Sequence, residues 1–284
     1  GFDFFDDDVE PLGDDKTIGR VQRDGHDSLH VLEKWLDGRT GKPFFAFLHL
    51  YEPHTPYTPP EPYFSRYPNH YDGEIACADA IVGELIDFLK QKGVYDRALI
   101  ILLSDHGEGL DEHGEEEHGI FLYREALQVP LIVKLPDQRK AGASVDTDVE
   151  LVDVFPTILE RTATASPKNG HRPGESLLAF LKGGPPRQIY AETYYPRFHF
   201  GWSELHSLIE GNNHFIRAPH PELYDLRKDP GEKHNSLQDN RRAYVRLQQA
   251  IEPYVREAPL PSSIDPEEAA KLAALGYVGS NAAT

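Results

Sequence analysis

Methionine is absent from the 284 residues, cysteine occurs once, and no long apolar run is present. With Cys77 as the single cysteine no intrachain disulfide can form, and no Cys/His cluster has the spacing of a structural zinc site. Cys77 sits at helical spacing in YDGEIACADAIVGELIDFL and reads as a packed core residue rather than a reactive thiol. No stretch approaches the roughly 20 apolar residues that cross a bilayer, and no charged-then-apolar signal segment opens the chain. A chain that starts at Gly1 and holds no methionine reads as a piece of something longer. Basic residues are also scarce: 29 Lys and Arg face 47 Asp and Glu, a net charge of -18. Such a surface repels a phosphate backbone, so nucleic acid is not expected as a partner. An anionic small substrate stays compatible, because a bound divalent cation reverses the potential inside a cleft.

What is present suffices for a globular core: 39% of the residues are hydrophobic and 27% charged. After an acidic, turn-rich opening, residues 20–36 have helical spacing through Val21, Leu29, Leu32 and Trp35. Three continuous apolar runs, FFAFLHL (44–50), ALIILLS (98–104) and VPLIVKLP (129–136), read as buried strands. Between the first two, residues 71–92 place Ile75, Ala78, Val82, Leu85, Ile86 and Leu89 at the 3.6-residue period of a helix. This alternation predicts an α/β fold over residues 1–185, a mostly parallel sheet sandwiched by helices. Beyond residue 185 the segments QIYAETYY, ELHSLIEG and NHFIRAP are short, aromatic and separated by turns such as Gly211-Asn212-Asn213. They predict a small antiparallel subdomain over 186–258, closed by a turn at Asp229-Pro230-Gly231 and a helix over 241–255. Residues 259–284 read as a tail or linker with a short helical piece.

Ligands of open α/β sheets bind beyond the carboxyl ends of the strands. His49, His54 and Tyr57 follow the first run; Asp105, His106, Glu108, His113 and His118 follow the second. Asp105-His106 offers a hard oxygen and a borderline nitrogen side by side, half of a metal site. The same pair could instead be a turn cap beside an ordinary polar residue. Glu115-Glu116-Glu117 reads as a solvated loop, and His113 and His118, taken alone, as surface histidines. His54 lies between Pro53 and Thr55-Pro56 in the proline-rich loop 53–68, stiff enough to hold an imidazole at little entropic cost; it could equally do no more than hydrogen-bond that loop. The aromatics of TYYPRFHFGW (193–202) could stack on a sugar, but are expected to form the core of the small sheet.

PFFAFLHLYEPHTPYTPP, the segment from YDGEIACADA through SDHGEGLDEHGEEEHG to VPLIV, and ELYDLRKDPGEKHN resemble, in order, the sulfatases of the alkaline-phosphatase superfamily. The resemblance runs through most of the chain, and SDHGE with the following HG and VPLI is its most specific part. It implies an alkaline-phosphatase-like fold and sulfuric ester hydrolysis. Asp105 and His106 are implied as ligands of a divalent cation, Ca²⁺ or Mg²⁺ by resemblance, with Mn²⁺ or Zn²⁺ admitted by the histidine. His54 and His118 are implied as substrate-binding and catalytic groups on the sulfate oxygens. The family's nucleophile, a formylglycine made from a Cys- or Ser-x-Pro-x-Arg segment, has no counterpart in these residues. It is expected upstream, and the isolated chain is expected to be inactive. A histidine at 106 and 118, where many arylsulfatases have Asn and Lys, also occurs in phosphoethanolamine and glycerolphosphate transferases. A phosphoryl-group transferase or phosphodiesterase of the same superfamily is therefore the first alternative. A non-catalytic carbohydrate- or partner-binding module is the second. The implied substrate is a sulfate ester, a glycan ester among the options, and the family's usual compartment is the periplasm or the exterior.

Overall fold

The computed structural model describes residues 2–8, 10–11, 21–39, 41–164 and 174–256; the tail expected over 259–284 lies outside them. The chain divides into two compact units, the first up to Arg97 and the second from Ala98 onward.

In the first unit, helix α1 (Gly25–Asp37) begins later than its apolar spacing suggests because Asp24 caps it, its carboxylate accepting the His26 N–H at 2.8 Å. Val21 belongs instead to β2 (Val21–Gln22), paired antiparallel with β1 (Glu10–Pro11). A short helix α2 (Tyr63–Arg66) precedes the long α3 (His70–Gln91), which Asn69 caps through the Tyr71 N–H. Leu29 of α1 meets Cys77 and Ile81 of α3 in the core, with Leu48, Leu50, Tyr63 and Leu85 around them. The close approach requires glycine at 25, where a Cβ would lie 2.7 Å from Ile81 Cδ1. The buried stripe of α3 runs through Glu74, Cys77 and Ile81, while Ile75 is exposed, so the predicted face is rotated. Burial pushes the Cys77 thiol up to about 11, which keeps it protonated and inert at neutral pH, as its packing role requires.

The run from Phe44 to Leu50 is not the buried strand expected from its sequence. Leu48 and Leu50 turn inward, Phe47 stacks on His49 on the other face, and no strand among the described residues pairs with it. Phe47 remains 70% exposed. A continuous apolar run carries no information about a ladder partner.

In the second unit, β3 (Ile100–Leu103) and β4 (Leu131–Lys134) pair antiparallel, from Ile100 opposite Lys134 to Leu103 opposite Leu131. The expected parallel arrangement is thus corrected: every strand pair among the described residues is antiparallel. The burial expected of these two runs is not met either, since no residue of β3 or β4 is buried and Ile132 is 61% exposed; strand direction follows from how residues 104–130 bring the chain back. The α/β class itself stands. Helix α4 (Arg124–Leu127) precedes β4 in the chain and α5 (Val154–Thr162) follows it.

The antiparallel C-terminal sheet is a meander of β5 (Gln188–Thr193), β6 (Leu205–Glu210), β7 (Asn213–Arg217) and β8 (Glu222–Asp225). Gly211, at φ +58°, opens the two-residue turn between β6 and β7, where a side chain would be strained. Helix α7 (Arg241–Ile251) lays Ala243, Leu247 and Ile251 on Leu208, Phe215 and Leu223 of the sheet. The second unit also holds a buried polar node. Arg187 binds Asp153 bidentately at 2.5 and 3.1 Å, and the backbone N–H groups of Glu150 and Glu175 donate to the same carboxylate at 2.8 and 2.7 Å.

Candidate active site

The loop leaving β3 is built by glycines that admit backbone where a side chain would collide. Gly107 donates its N–H to the Ala126 carbonyl at 2.8 Å, and a Cβ on it would sit 1.9 Å from the Glu125 carbonyl oxygen. Gly109 donates to the Glu117 carbonyl at 2.7 Å, and a Cβ on it would lie 2.6 and 2.7 Å from the carbonyl oxygens of Glu115 and Glu117. Folded this way, the loop stacks the imidazole of His118 on that of His106, ring centroids 3.7 Å apart and 28° from parallel.

Each ring is oriented by a hydrogen bond at its Nδ1. His106 Nδ1 donates to the Gly107 carbonyl at 2.8 Å, which leaves the lone pair of the neutral ring on Nε2. That nitrogen is 3.6 Å from Asp105 Oδ1, so a nitrogen and a carboxylate oxygen lie together at the end of β3. Asp105 also accepts the His106 N–H at 3.1 Å, so the turn-cap reading holds alongside the ligand reading. Among the described residues no three His, Cys, Asp or Glu side chains converge as a metal cluster. The donors suit a divalent cation in chemistry and would be two of the ligands it needs. His118 Nδ1 pairs with the buried Glu108 carboxylate at 2.9 Å. That hydrogen bond outweighs burial and raises the imidazole above the ordinary histidine range.

Two expectations for this loop are corrected. Glu115 is buried, not solvated; its oxygens accept the N–H groups of Ile120 and Phe121 at 2.7 and 3.0 Å and so shape the turn beyond His118. Glu116 and Glu117 are exposed, as expected. His113 is no surface histidine: it stacks on Tyr123, pairs with Glu125 and donates Nε2–H to the Glu232 carbonyl at 3.1 Å. Glu232 is itself buried, holding His214 at 2.5 Å and the Arg124 N–H at 2.7 Å. His113 therefore joins the loop to the C-terminal sheet, a contact made 119 residues along the chain that spacing cannot reveal.

His54 belongs to the first unit. Its N–H and that of Thr58 donate to the two oxygens of Glu74, at 3.0 and 2.7 Å, so one carboxylate in the buried face of α3 holds both ends of the HTPYT turn. The His54 ring donates Nδ1–H to the Thr55 carbonyl at 2.8 Å and lies against Tyr51. Burial raises the Glu74 carboxyl above its usual range, and the two loop N–H groups partly offset this. Glu74 escaped the sequence reading, yet it leaves a signal: an acid three residues before Cys77 and seven before Ile81, in line with the apolar stripe.

The aromatics after β5 are not a sheet core. In α6 (Tyr195–Phe200) and just beyond it, Tyr195 is 45% exposed, Phe200 49% and Trp202 60%. The sheet core is filled by Leu208, Phe215 and Leu223 instead.

The family model for Sulfatase matches residues 5–164, and that for the C-terminal part of N-sulphoglucosamine sulphohydrolase matches residues 112–257. The chain is 28% identical to the multifunctional alkaline phosphatase superfamily protein PehA of Trinickia caryophylli, over 78% of this chain and 57% of that protein. It is 30% identical to human arylsulfatase K, over 58% of this chain and 32% of the relative. The N-acetylglucosamine-6-O-sulfatase of Bacteroides thetaiotaomicron is 28% identical over 61% and 32%. In fold it resembles the phosphonate monoester hydrolase of Agrobacterium radiobacter, with a TM-score of 0.68 at 23% identity over 86% of this chain and 64% of that one. The chain thus spans 57% or less of these three curated relatives.

Proposed function

Since the chain belongs to the sulfatase family, we propose that it carries the cation-binding and anion-binding side of a site that hydrolyses sulfate esters. The observation that supports this most is the His106–His118 stack beside Asp105, which gathers metal-type donors and a cation-forming imidazole at one strand end. In this reading Asp105 and His106 Nε2 hold a divalent cation, Ca²⁺ or Mg²⁺ by family resemblance, with Mn²⁺ or Zn²⁺ suited to the histidine. When bound, such a cation polarises sulfuryl oxygens and lowers the pKa of a nucleophile.

In this reading His118 is an anion-binding histidine of the site. Glu108 both fixes the ring and favours its protonated form, so a hydrogen-bond donor is oriented before charge develops on the transferred group. By family resemblance His54 is also read as an anion-binding histidine, on a turn held by Glu74. Either histidine can protonate the leaving alcohol. Turnover also needs a nucleophile, which these residues do not carry in the family's Cys- or Ser-x-Pro-x-Arg pattern. Hydrolysis is accordingly proposed for the whole protein, in the periplasm or outside the cell as is usual for the family.

A second reading, phosphate or phosphonate ester chemistry, is favoured by histidine at 106 and 118, as the family resemblance reads it, and by similarity to the alkaline phosphatase superfamily protein PehA. One experiment separates the two. The full-length protein is assayed on 4-nitrocatechol sulfate and on a phenyl phosphonate monoester, with peptide mapping for formylglycine. Faster sulfate cleavage supports the sulfatase reading; faster phosphonate cleavage replaces it; no cleavage of either, in metal-loaded protein bearing formylglycine, refutes both. His118→Ala is expected to lower kcat/KM on the preferred ester by about 100-fold or more.

A further inference from the structure

The turn at Asp229-Pro230-Gly231-Glu232 has no part in the hydrolytic reading, yet one of its side chains reaches the loop that carries His118. Glu232 stands in the left-handed region, at φ +50°, where a Cβ is unfavourable and glycine would sit without strain. The turn itself does not need the Glu232 carboxylate. Asp229 closes it by accepting the N–H groups of Lys233 and His234, at 3.1 and 2.8 Å, and the Glu232 N–H returns to the Asp229 carbonyl at 3.1 Å. A glutamate held in that conformation and 1% exposed therefore answers to something outside the turn.

What lies outside is the start of α4. Tyr123, the residue before that helix, provides no side-chain cap, and Glu232 Oε2 accepts the Arg124 N–H at 2.7 Å instead. A helix of four residues makes too few internal hydrogen bonds to hold itself, so its position depends on such tertiary bonds. The turn after β3 rests on it: the Ala126 carbonyl accepts the Gly107 N–H at 2.8 Å, and the Gly107 carbonyl accepts His106 Nδ1–H at 2.8 Å. His106 is the ring on which His118 stacks. The other oxygen of Glu232 accepts Nδ1–H of His214, in β7, at 2.5 Å, which ties the carboxylate to the sheet. Neighbouring bonds join the same two parts. The Glu232 carbonyl holds His113, Lys233 Nζ donates to the Glu112 carbonyl at 2.7 Å, and Thr193 of β5 donates to the Gly119 carbonyl at 2.5 Å.

We propose that Glu232 is a positioning residue of the candidate site: through the Arg124 N–H and α4 it sets the turn at Gly107 on which the His106–His118 stack is built. The C-terminal sheet is then part of how the site is assembled, not a module beside it. Glu232 acts through the backbone and touches neither cation nor substrate. Its catalytic consequence rests on the reading of these two histidines as site residues; the geometry it controls does not.

The test follows the two rings by NMR in the chain made with isotope-labelled histidine, at one fixed pH, with the signals assigned by His106→Gln and His118→Gln. Glu232→Gly removes the carboxylate and also relieves the left-handed backbone, so the turn is kept. The ring signals of His106 and His118 should then move toward those of unstacked imidazole. Glu232→Gln, whose amide oxygen accepts the Arg124 N–H while its NH₂ donates to His214, should restore them. Leu247→Ala removes packing between α7 and the sheet and leaves every hydrogen bond to the loop in place, so both signals should stay. In full-length, metal-loaded protein, Glu232→Gly should lower kcat on the preferred ester about 10-fold and change KM less than about twofold. Unmoved rings in folded Glu232→Gly, equal displacement in Glu232→Gln or in Leu247→Ala, or an unchanged kcat in an active protein would each overturn the proposal. The ring readout needs no turnover. Ring displacement in a protein that cleaves no ester leaves the positioning role standing and removes the hydrolase reading; ester cleavage by a protein whose rings do not move does the reverse.

Discussion

Single side chains carry the chemistry, and their partners decide what they can do. On the proposed assignment Asp105 gives the charged oxygen of the cation's two donors, so Asp105→Ala should weaken Mn²⁺ binding to the chain by at least ~10-fold in a calorimetric titration. Unchanged affinity would move the cation elsewhere. Glu74 holds the His54 turn by two hydrogen bonds from within the buried face of α3. Glu74→Ala leaves the N–H groups of His54 and Thr58 unpaired, each at a cost of roughly 1–3 kcal/mol. Faster amide exchange confined to these two positions and their neighbours is the expected signature. Uniformly faster exchange would mean that Glu74 supports the helix and not the turn.

At the level of elements, the path of the backbone around β3 depends on glycines that composition alone cannot rank. Gly107 has a carbonyl oxygen 1.9 Å from its missing Cβ, whereas Gly83, in the middle of α3, has nothing within 4 Å. Gly107→Ala should therefore destabilise on the order of 3–5 kcal/mol, while Gly83→Ala should stabilise by roughly 0.5–1 kcal/mol by removing a helix-interior glycine. Thermal unfolding of the two variants should give shifts of opposite sign; a loss at both sites would contradict the packing described here. The same loop shows why neighbouring acids differ. Glu115 is enclosed by the turn it shapes while Glu116 and Glu117 point to water, so a run of identical residues divides by direction.

Across the second unit, the Asp153–Arg187 node joins the start of α5 to the segment entering β5. Burial alone would raise the Asp153 carboxyl, but Arg187 and the two backbone N–H groups outweigh it and hold it below the usual carboxylate range. A depressed folded pKa means stability that is fully present above 3.8, the unfolded value, and is lost as pH falls from there through the folded value. Asp153→Asn should cost roughly 3–5 kcal/mol near neutral pH, because it leaves Arg187 partly buried without its partner. It should also flatten the acid limb of stability below pH 3.8 in denaturant titrations read by circular dichroism. An acid limb as steep as that of the unsubstituted protein would assign the loss to other carboxylates.

The sequence by itself determined the class of elements, the small antiparallel sheet and its closing helix, the packed cysteine, and the identity of the chemical groups at the end of β3. These follow from local causes: apolar period, turn residues and ligand-type side chains in adjacent positions. Only the tertiary structure decided the antiparallel sense of β3 and β4, the exposed face of Phe44–Leu50, the buried roles of Glu74, Glu115 and His113, and the exposure of Tyr195, Phe200 and Trp202. Each of these depends on a neighbour supplied by a distant part of the chain, and a residue's own spacing holds no record of what will pack against it.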